Sequence, residues 1–372
     1  MTTSTPLSTA PADLIAINGT DHVEFWVGNA KQAAYFYQKA FGFQIVAYAG
    51  PETGIRDRAS YVLQQNKIRF VLTTALVADH PVSKHVLDHG DGVRDVAFWV
   101  EDAEKAFKLA TARGARPVRE PFVMEDAHGK VTLATVATYG DTVHTFVQRD
   151  GYQGVFLPGF VARKGLDVPS TGLEFVDHLV GNVGWNEMNT WVEFYQTVFG
   201  FHHFANFDDK DISTEYSALR SVVVANHNER IKLPLNEPAE GKKKSQIEEY
   251  IQAYGGPGVQ HLALVTNDIV DTVRKLKANG VEFLGTPDSY YDALAKRFEG
   301  LEENLDELKE LGILVDRDDK GYMLQLFTKP LEDRPTLFFE IIQRKGSESF
   351  GKGNFKALFE SIEREQDLRG NL

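Results

Sequence analysis

Cysteine is absent from this 372-residue chain. That excludes disulfides, thiolate metal sites and a cysteine nucleophile. No apolar run approaches the ~20 residues a membrane-spanning helix needs. The first twenty residues, MTTSTPLSTAPADLIAINGT, have neither a basic start nor the apolar stretch of a signal peptide. Positive charge is also in short supply: 40 Lys and Arg face 53 Asp and Glu, a net −13. A negative field argues against non-specific binding to nucleic acid or anionic membrane, although one local site can still hold a small anion. No phosphate-cradling glycine loop occurs. The expectation is a cytoplasmic protein with no nucleic-acid and no membrane partner.

What is present is ordinary globular composition, 42 % apolar and 25 % charged, in a chain long enough for two or three domains. It also repeats itself. FYQKAFGF at 36–43 returns as FYQTVFGF at 194–201, with six of eight letters shared. The flanks agree in order: DHVEFWVGN (21–29) with DHLVGNV (177–183), RGARPVREP (113–121) with NGVEFLGTP (279–287), and HTFVQR (144–149) with FEIIQR (339–344). Such collinearity marks an internal duplication.

Each half has the same grammar. A strand carrying Asp-His leads into an amphipathic helix, AAYFYQKAF or WVEFYQTVF, stopped by Gly42 or Gly200. Alternating strands follow, then DVAFWV or HLALVT, a second helix and closing strands. This predicts two βαβββ modules per half, an α+β fold. The Gly- and Pro-rich stretch near 150–172 separates the halves. The expected organisation is a disordered arm over 1–17, a first domain over 18–155, a linker over 156–171 and a second domain over 172–372 that ends in a helix.

Comparing the halves singles out three positions. His178 matches His22, whereas His261 is aligned with Val96 and Glu340 with Thr145. Two imidazoles and a carboxylate on three strands form the ligand set of a facial triad that holds non-haem iron(II) with open positions. A carboxylate inside FFEII is costly to bury without a partner, and a cation is such a partner. The alternative is two hydrogen-bonded core histidines with Glu340 paired to an Arg. His85 and His89 stand at i, i+4, but Val86 occupies the place where a zinc-protease motif needs Glu.

The second half, with STEYSALRSVVV, PLNEPA, KKKSQIEEYI, GGPGVQHLAL, TPDSYYD, GYMLQLFTKP, RPTLFFEII and FGKGNFKALFE, resembles the 4-hydroxyphenylpyruvate dioxygenase family of the vicinal-oxygen-chelate superfamily. The resemblance runs from about residue 18 to the C-terminus and is denser in the second half. It implies two tandem glyoxalase-like domains, the first degenerate, and one Fe(II) per chain held by His178, His261 and Glu340. It further implies conversion of 4-hydroxyphenylpyruvate and O2 to homogentisate and CO2, with no 2-oxoglutarate because the substrate carries its own 2-oxo acid. A homodimer or homotetramer is expected. The same fold and ligands occur in hydroxymandelate synthase, and the fold alone occurs in metal-free binding proteins.

Strand parity puts Phe338 on the face of Glu340, and Gln325 on that of Phe327, so Phe327 and Phe338 are expected to clasp a planar ring. The resemblance places Pro234 and Asn236 beside the substrate. Ser221, Asn236, Gln246 and Gln325 are neutral hydrogen-bonding groups that suit a phenol, and Asn236, Gln246 and Gln325 are expected to serve catalysis as well as binding. The resemblance also puts Gln260 in the site, although alternation from His261 points it away unless the strand bulges. In FGKGNFKALFE, two glycines precede a helix with Phe355, Leu358, Phe359 and Ile362 on one face. In the family this helix gates the pocket, so Phe350, Asn354, Phe355 and Leu358 are expected at its mouth.

Overall fold

The structure, a computed structural model, describes residues 14–208, 214, 216–298 and 300–371. Two curled sheets carry the chain. The first runs, edge to edge, Val161–Ala162, Gln44–Ala49, Arg58–Gln65, Ile68–Ala75, Ile17–Trp26, Gly92–Val100, Val143–Gln148, Gly129–Ala137, Pro117–Asp126. The second runs His202–Phe207, Ala218–Ala225, Lys232–Ala239, Leu173–Asn182, Gly258–Thr266, Phe338–Lys345, Tyr322–Phe327, Leu314–Arg317. Apart from the short edge pair Val161–Ala162, the orders are the same. In each module the first strand lies parallel to the last, as with Ile17–Trp26 beside Ile68–Ala75 and Gly258–Thr266 beside Phe338–Lys345. That is the βαβββ arrangement, found twice in each sheet.

Two segments are more ordered than their composition suggests. Residues 1–13 of the expected arm lie outside the described residues, but Ile15 and Ile17 are buried in the main core. Within the expected linker, Val161 and Ala162 pair with Tyr48 and Ala47, and Phe156 is buried. Polar, glycine-rich composition predicts a loop; a few apolar anchors suffice to pin it.

The repeated octapeptide forms the end of helices Ala30–Phe41 and Met188–Phe199. Both stop at a left-handed glycine, Gly42 (φ 75°) and Gly200 (φ 71°), whose N–H returns to the carbonyl of Gln38 or Gln196. Its aromatic face does more than fill its own half. Tyr37 and Phe41 pack on Phe339 of the second sheet, with centroids 6.0 and 5.2 Å apart. Phe199 packs on Phe98, His144 and Phe146 of the first, at 6.1, 5.6 and 6.0 Å. Each helix is thus shared with the other half, and the duplication is joined by a reciprocal aromatic seam.

One buried polar chain crosses that seam. The Tyr195 hydroxyl meets His144 Nε2 at 2.8 Å and Thr138 Oγ1 at 2.9 Å, and His144 Nδ1 donates to the Val96 carbonyl at 2.9 Å. Burial pushes His144 down to about 4, so the ring is neutral and its Nε2 accepts from Tyr195. Tyr195→Phe strands that nitrogen. It is expected to cost about 1–3 kcal/mol, seen as a lower thermal midpoint. An unchanged midpoint would mean that water replaces the hydroxyl without penalty.

Candidate metal centre

His178, His261 and Glu340 stand on three adjacent strands at the middle of the second sheet. Register brings them together: His178 pairs with Ala263, and Ala263 with Glu340. His261, two residues before Ala263, shares its face. The small side chain of Ala263 leaves the space between the three open. His178 Nε2 lies 3.1 Å and His261 Nε2 3.6 Å from Glu340 Oε2. All three residues are buried, and their ligand atoms lie within 4.8 Å of one another; they form the one such trio found among the described residues.

The outer nitrogens are also fixed. His178 Nδ1 donates to Asp177 Oδ2 at 2.7 Å, and Arg344 grips Asp177 with two hydrogen bonds of 2.9 and 2.8 Å. His261 Nδ1 lies 2.9 Å from Gln260 Oε1. With both protons on Nδ1, the Nε2 lone pairs converge beside Glu340, as metal ligation requires. Burial alone would raise Glu340, but the two imidazoles hold it below the usual carboxylate range. Burial alone would lower His178, but Glu340 and Asp177 raise it; His261 stays lowered by burial. The donor set fits a divalent cation with open positions.

Gln260 reaches this centre through a bulge. Val180 pairs with His261 while Gly181 pairs with Val259, so Gln260 is one residue extra and turns onto the cavity wall. Alternation alone points it the other way.

The first half keeps the frame and the first histidine, but not the other two residues of the trio. Asp21 accepts from His22 at 2.7 Å and is held by Arg149 with two bonds of 2.7 Å. His22 pairs with Ala97, just as His178 pairs with Ala263. The residue two before Ala97 is Asp95, so Asp95 occupies the place of His261. The alignment of His261 with Val96 is therefore one residue out, because only the partner strand distinguishes Asp95 from Val96. Thr145 is the counterpart of Glu340. It gives its N–H to Asp95 at 3.0 Å and its hydroxyl to the other carboxylate oxygen, while burial pushes Asp95 up to about 6. The pair satisfies itself.

Beside the trio lies a cavity of about 70 Å3. Ser221, Pro234, Asn236, Gln246, Gln260, Phe327, Phe338, Phe350, Phe355 and Leu358 line it, together with the three candidate ligands. Gln325 and Asn354 do not line it. Gln325 lies on the sheet face of Phe327 and Glu340, where Asn354 Nδ2 donates to its Oε1 at 3.4 Å and Asn354 Oδ1 accepts from Tyr290 at 2.7 Å. Gly351, with φ 77°, packs so closely on Gln325 that a Cβ would sit 2.0 Å from its Oε1. Phe327 and Phe338 do not form a parallel clasp: their planes meet at 71°, and Phe338 stacks on His261 at 4.8 Å. Two large rings on neighbouring strands avoid leaving a gap, and the imidazole face fills it.

Val180, Phe207, Leu219, Val223, Phe359 and Ile362 complete the lining. Val180 and Val223 could have been found by counting two from His178 and Ser221. Phe359 and Ile362 share the helical face of Phe355. Phe207 shows only through its pairing with Ser221. His85 and His89 are buried elsewhere, with His89 held by the Tyr254 carbonyl and Asp141, and they join no metal-binding trio among the described residues.

A family model for the Glyoxalase/Bleomycin resistance protein/Dioxygenase superfamily matches residues 19–143 and 176–326. The chain is 53 % identical to 4-hydroxyphenylpyruvate dioxygenase of Yarrowia lipolytica, over 96 % of this chain and 95 % of that one. It is 54 % identical to the protein of the same name from Danio rerio, over 94 % and 91 %. Among solved structures, a variant of 4-hydroxymandelate synthase from Streptomyces coelicolor superposes with a TM-score of 0.84 at 34 % identity, covering 94 % of this chain and 99 % of that one.

The paired frames allow an internal control. Asp177→Asn weakens the orientation of His178 and is expected to lower affinity for a divalent ion about 10–100-fold. Asp21→Asn breaks the same clasp in the first half and is expected to leave that affinity unchanged. Equal effects in a metal titration would show that the clasp acts on the fold and not on the ion.

Proposed function

The chain belongs to the 4-hydroxyphenylpyruvate dioxygenase family, and from that premise we propose that His178, His261 and Glu340 hold one iron(II) per chain in the second half. The reaction is conversion of 4-hydroxyphenylpyruvate and O2 to homogentisate and CO2. The observation that carries the reading is the convergence of two Nε2 lone pairs on a buried carboxylate, with both Nδ1 atoms tied elsewhere. When bound, the iron supplies positions for a chelating 2-oxo acid and for O2.

The chain's own part is binding, orientation and exclusion of water. Iron(II), Glu340 and the substrate carboxylate sum to zero charge, which suits a buried site. The phenyl walls of Phe327, Phe338, Phe350, Phe355 and Phe359 take the ring. Asn236 and Ser221 face each other across paired strands, and Asn236 Nδ2 is steadied by Asn182 Oδ1 at 3.3 Å. With Gln246 and Gln260 they offer neutral partners to a phenol that stays protonated near pH 7. Gln325 acts beside the cavity by accepting a hydrogen bond from Asn354. The substrate supplies its own 2-oxo acid, so 2-oxoglutarate has no role.

Helix Phe355–Leu368 closes the pocket in this reading. Its far end is tied down by Arg369 to Glu249 at 3.1 and 2.8 Å, and Ser217 bonds Glu363 at 2.6 Å. About 70 Å3 is well under the ~300–1,000 Å3 of pockets that take drug-sized ligands. The helix therefore has to shift for substrate to enter, and its return excludes water.

The hydroxymandelate synthase relative supports a second reading, oxidation at the benzylic carbon. The higher identity to the dioxygenases, and the presence of both Pro234 and Asn236, favour attack on the ring. The deciding assay loads the protein with iron(II) under argon, adds 4-hydroxyphenylpyruvate, admits O2 and identifies the product by chromatography. Homogentisate is expected from the native chain, and none from a folded Glu340→Gln variant. Hydroxymandelate as the main product would move the protein to the other branch; turnover by the variant would remove Glu340 from the centre.

A further inference from the structure

The first half has a cavity of its own, about 660 Å3, on the same concave face of its sheet. Register makes the two pockets equivalent: Ser60 opposes Thr73 as Ser221 opposes Asn236, and His22 stands where His178 does. Even the cover is repeated. Phe156 lies edge-on to His22 at 5.1 Å, as Phe350 does to His178 at 5.0 Å. Arg149 reaches the Phe156 carbonyl as Arg344 reaches that of Ser349. Asp95 and Thr145 stand where His261 and Glu340 do in the second half, and the pocket is present in both.

Its polar groups are different. Arg58 and Arg119 come from opposite arms of the curled sheet and both line the cavity. Arg58 is paired with Asp57 at 3.1 Å. Arg119 lies 3.3 Å from the Phe122 ring centroid, and among the described residues no carboxylate pairs with it. Deeper in, Glu24 accepts the Thr73 hydroxyl at 2.6 Å and has acceptor capacity left. Trp26, Phe122 and Phe156 supply apolar faces between these charges.

We propose that this cavity binds a hydroxyaryl carboxylate, with its carboxylate on Arg119, its ring among Trp26, Phe122 and Phe156, and its hydroxyl donated to Glu24. A guanidinium with no carboxylate partner gains most from a ligand carboxylate. A carboxylate at the other polar position selects a donor. The volume falls within the ~300–1,000 Å3 range of small-molecule pockets. The site takes part in no oxidation, because Asp95 is turned onto Thr145 and no metal-holding trio forms there among the described residues; it stores such an acid.

The test is equilibrium dialysis of iron-loaded protein under argon with 4-hydroxyphenylpyruvate, and separately with homogentisate, while tryptophan fluorescence is followed. Two molecules per chain are expected for at least one of the acids, and the tighter binder at the second site identifies the source. The double variant Arg58→Ala/Arg119→Ala should bind one, with turnover in air retained as proof of folding. Trp26→Phe should lose the fluorescence change, because no other tryptophan lines either cavity. One molecule per chain in the native protein, or two in the double variant, overturns the proposal. Because Trp26 reports on this cavity alone, that failure would leave the second-half assignment standing.

Discussion

Everything in the second half depends on how the charge of Glu340 is accommodated. A carboxylate buried in the centre of a sheet, between Phe339 and Ile341 on its own strand, is expensive unless opposite charge and hydrogen bonds surround it. Here two imidazole Nε2 atoms face it, so that a cation held by all three balances the charge, and each ring is prevented from turning away. Arg344 and Asp177 lock one ring; Gln260, made available by a bulge, locks the other. Paired strands supply the placement, Ala263 supplies the space, and the hydrogen bonds on the far side of each ring supply the orientation. Loosening any one of these would leave a buried anion without its counterweight.

The duplication explains why this costs the fold so little. The curled sheet, the Asp-His-Arg clasp and the phenyl cover occur in both halves, so none of them exists for the ion alone. In the first half a threonine and an aspartate hydrogen-bond to each other where glutamate and histidine stand in the second. The chain thus contains both solutions to the same packing problem, one closed by neutral and acidic groups and one left open to a cation. The aromatic seam formed by the repeated octapeptide holds the two in fixed relation, with Phe339, the neighbour of Glu340, lying against Tyr37 and Phe41.

Much of this was legible in the letters. Period-3.6 and period-2 patterns marked helices and strands, the glycines ended the repeated helices, and the repeat placed the modules. The three candidate ligands stood out because a polar letter in an apolar strand is rare without a reason. What was hidden depends on pairing. The counterpart of His261 was misassigned by one residue, since Asp95 and Val96 are distinguished only by the partner strand. The bulge at Gln260 left no mark in the spacing. The tilt between Phe327 and Phe338 reflects competition for the face of His261, which no single strand records. Ile15 and Phe156 show the same limit: segments of loop-like composition were held by contacts from far along the chain.

The central claim is that one ion site exists per chain and that the second half makes it. Anaerobic titration with iron(II), read as bound metal per chain, tests this most directly on the native protein, His22→Ala and Glu340→Gln. One equivalent is expected for the native chain and for His22→Ala, with tight binding lost in Glu340→Gln. Two equivalents in the native protein, or one equivalent bound as tightly after Glu340→Gln, would contradict it.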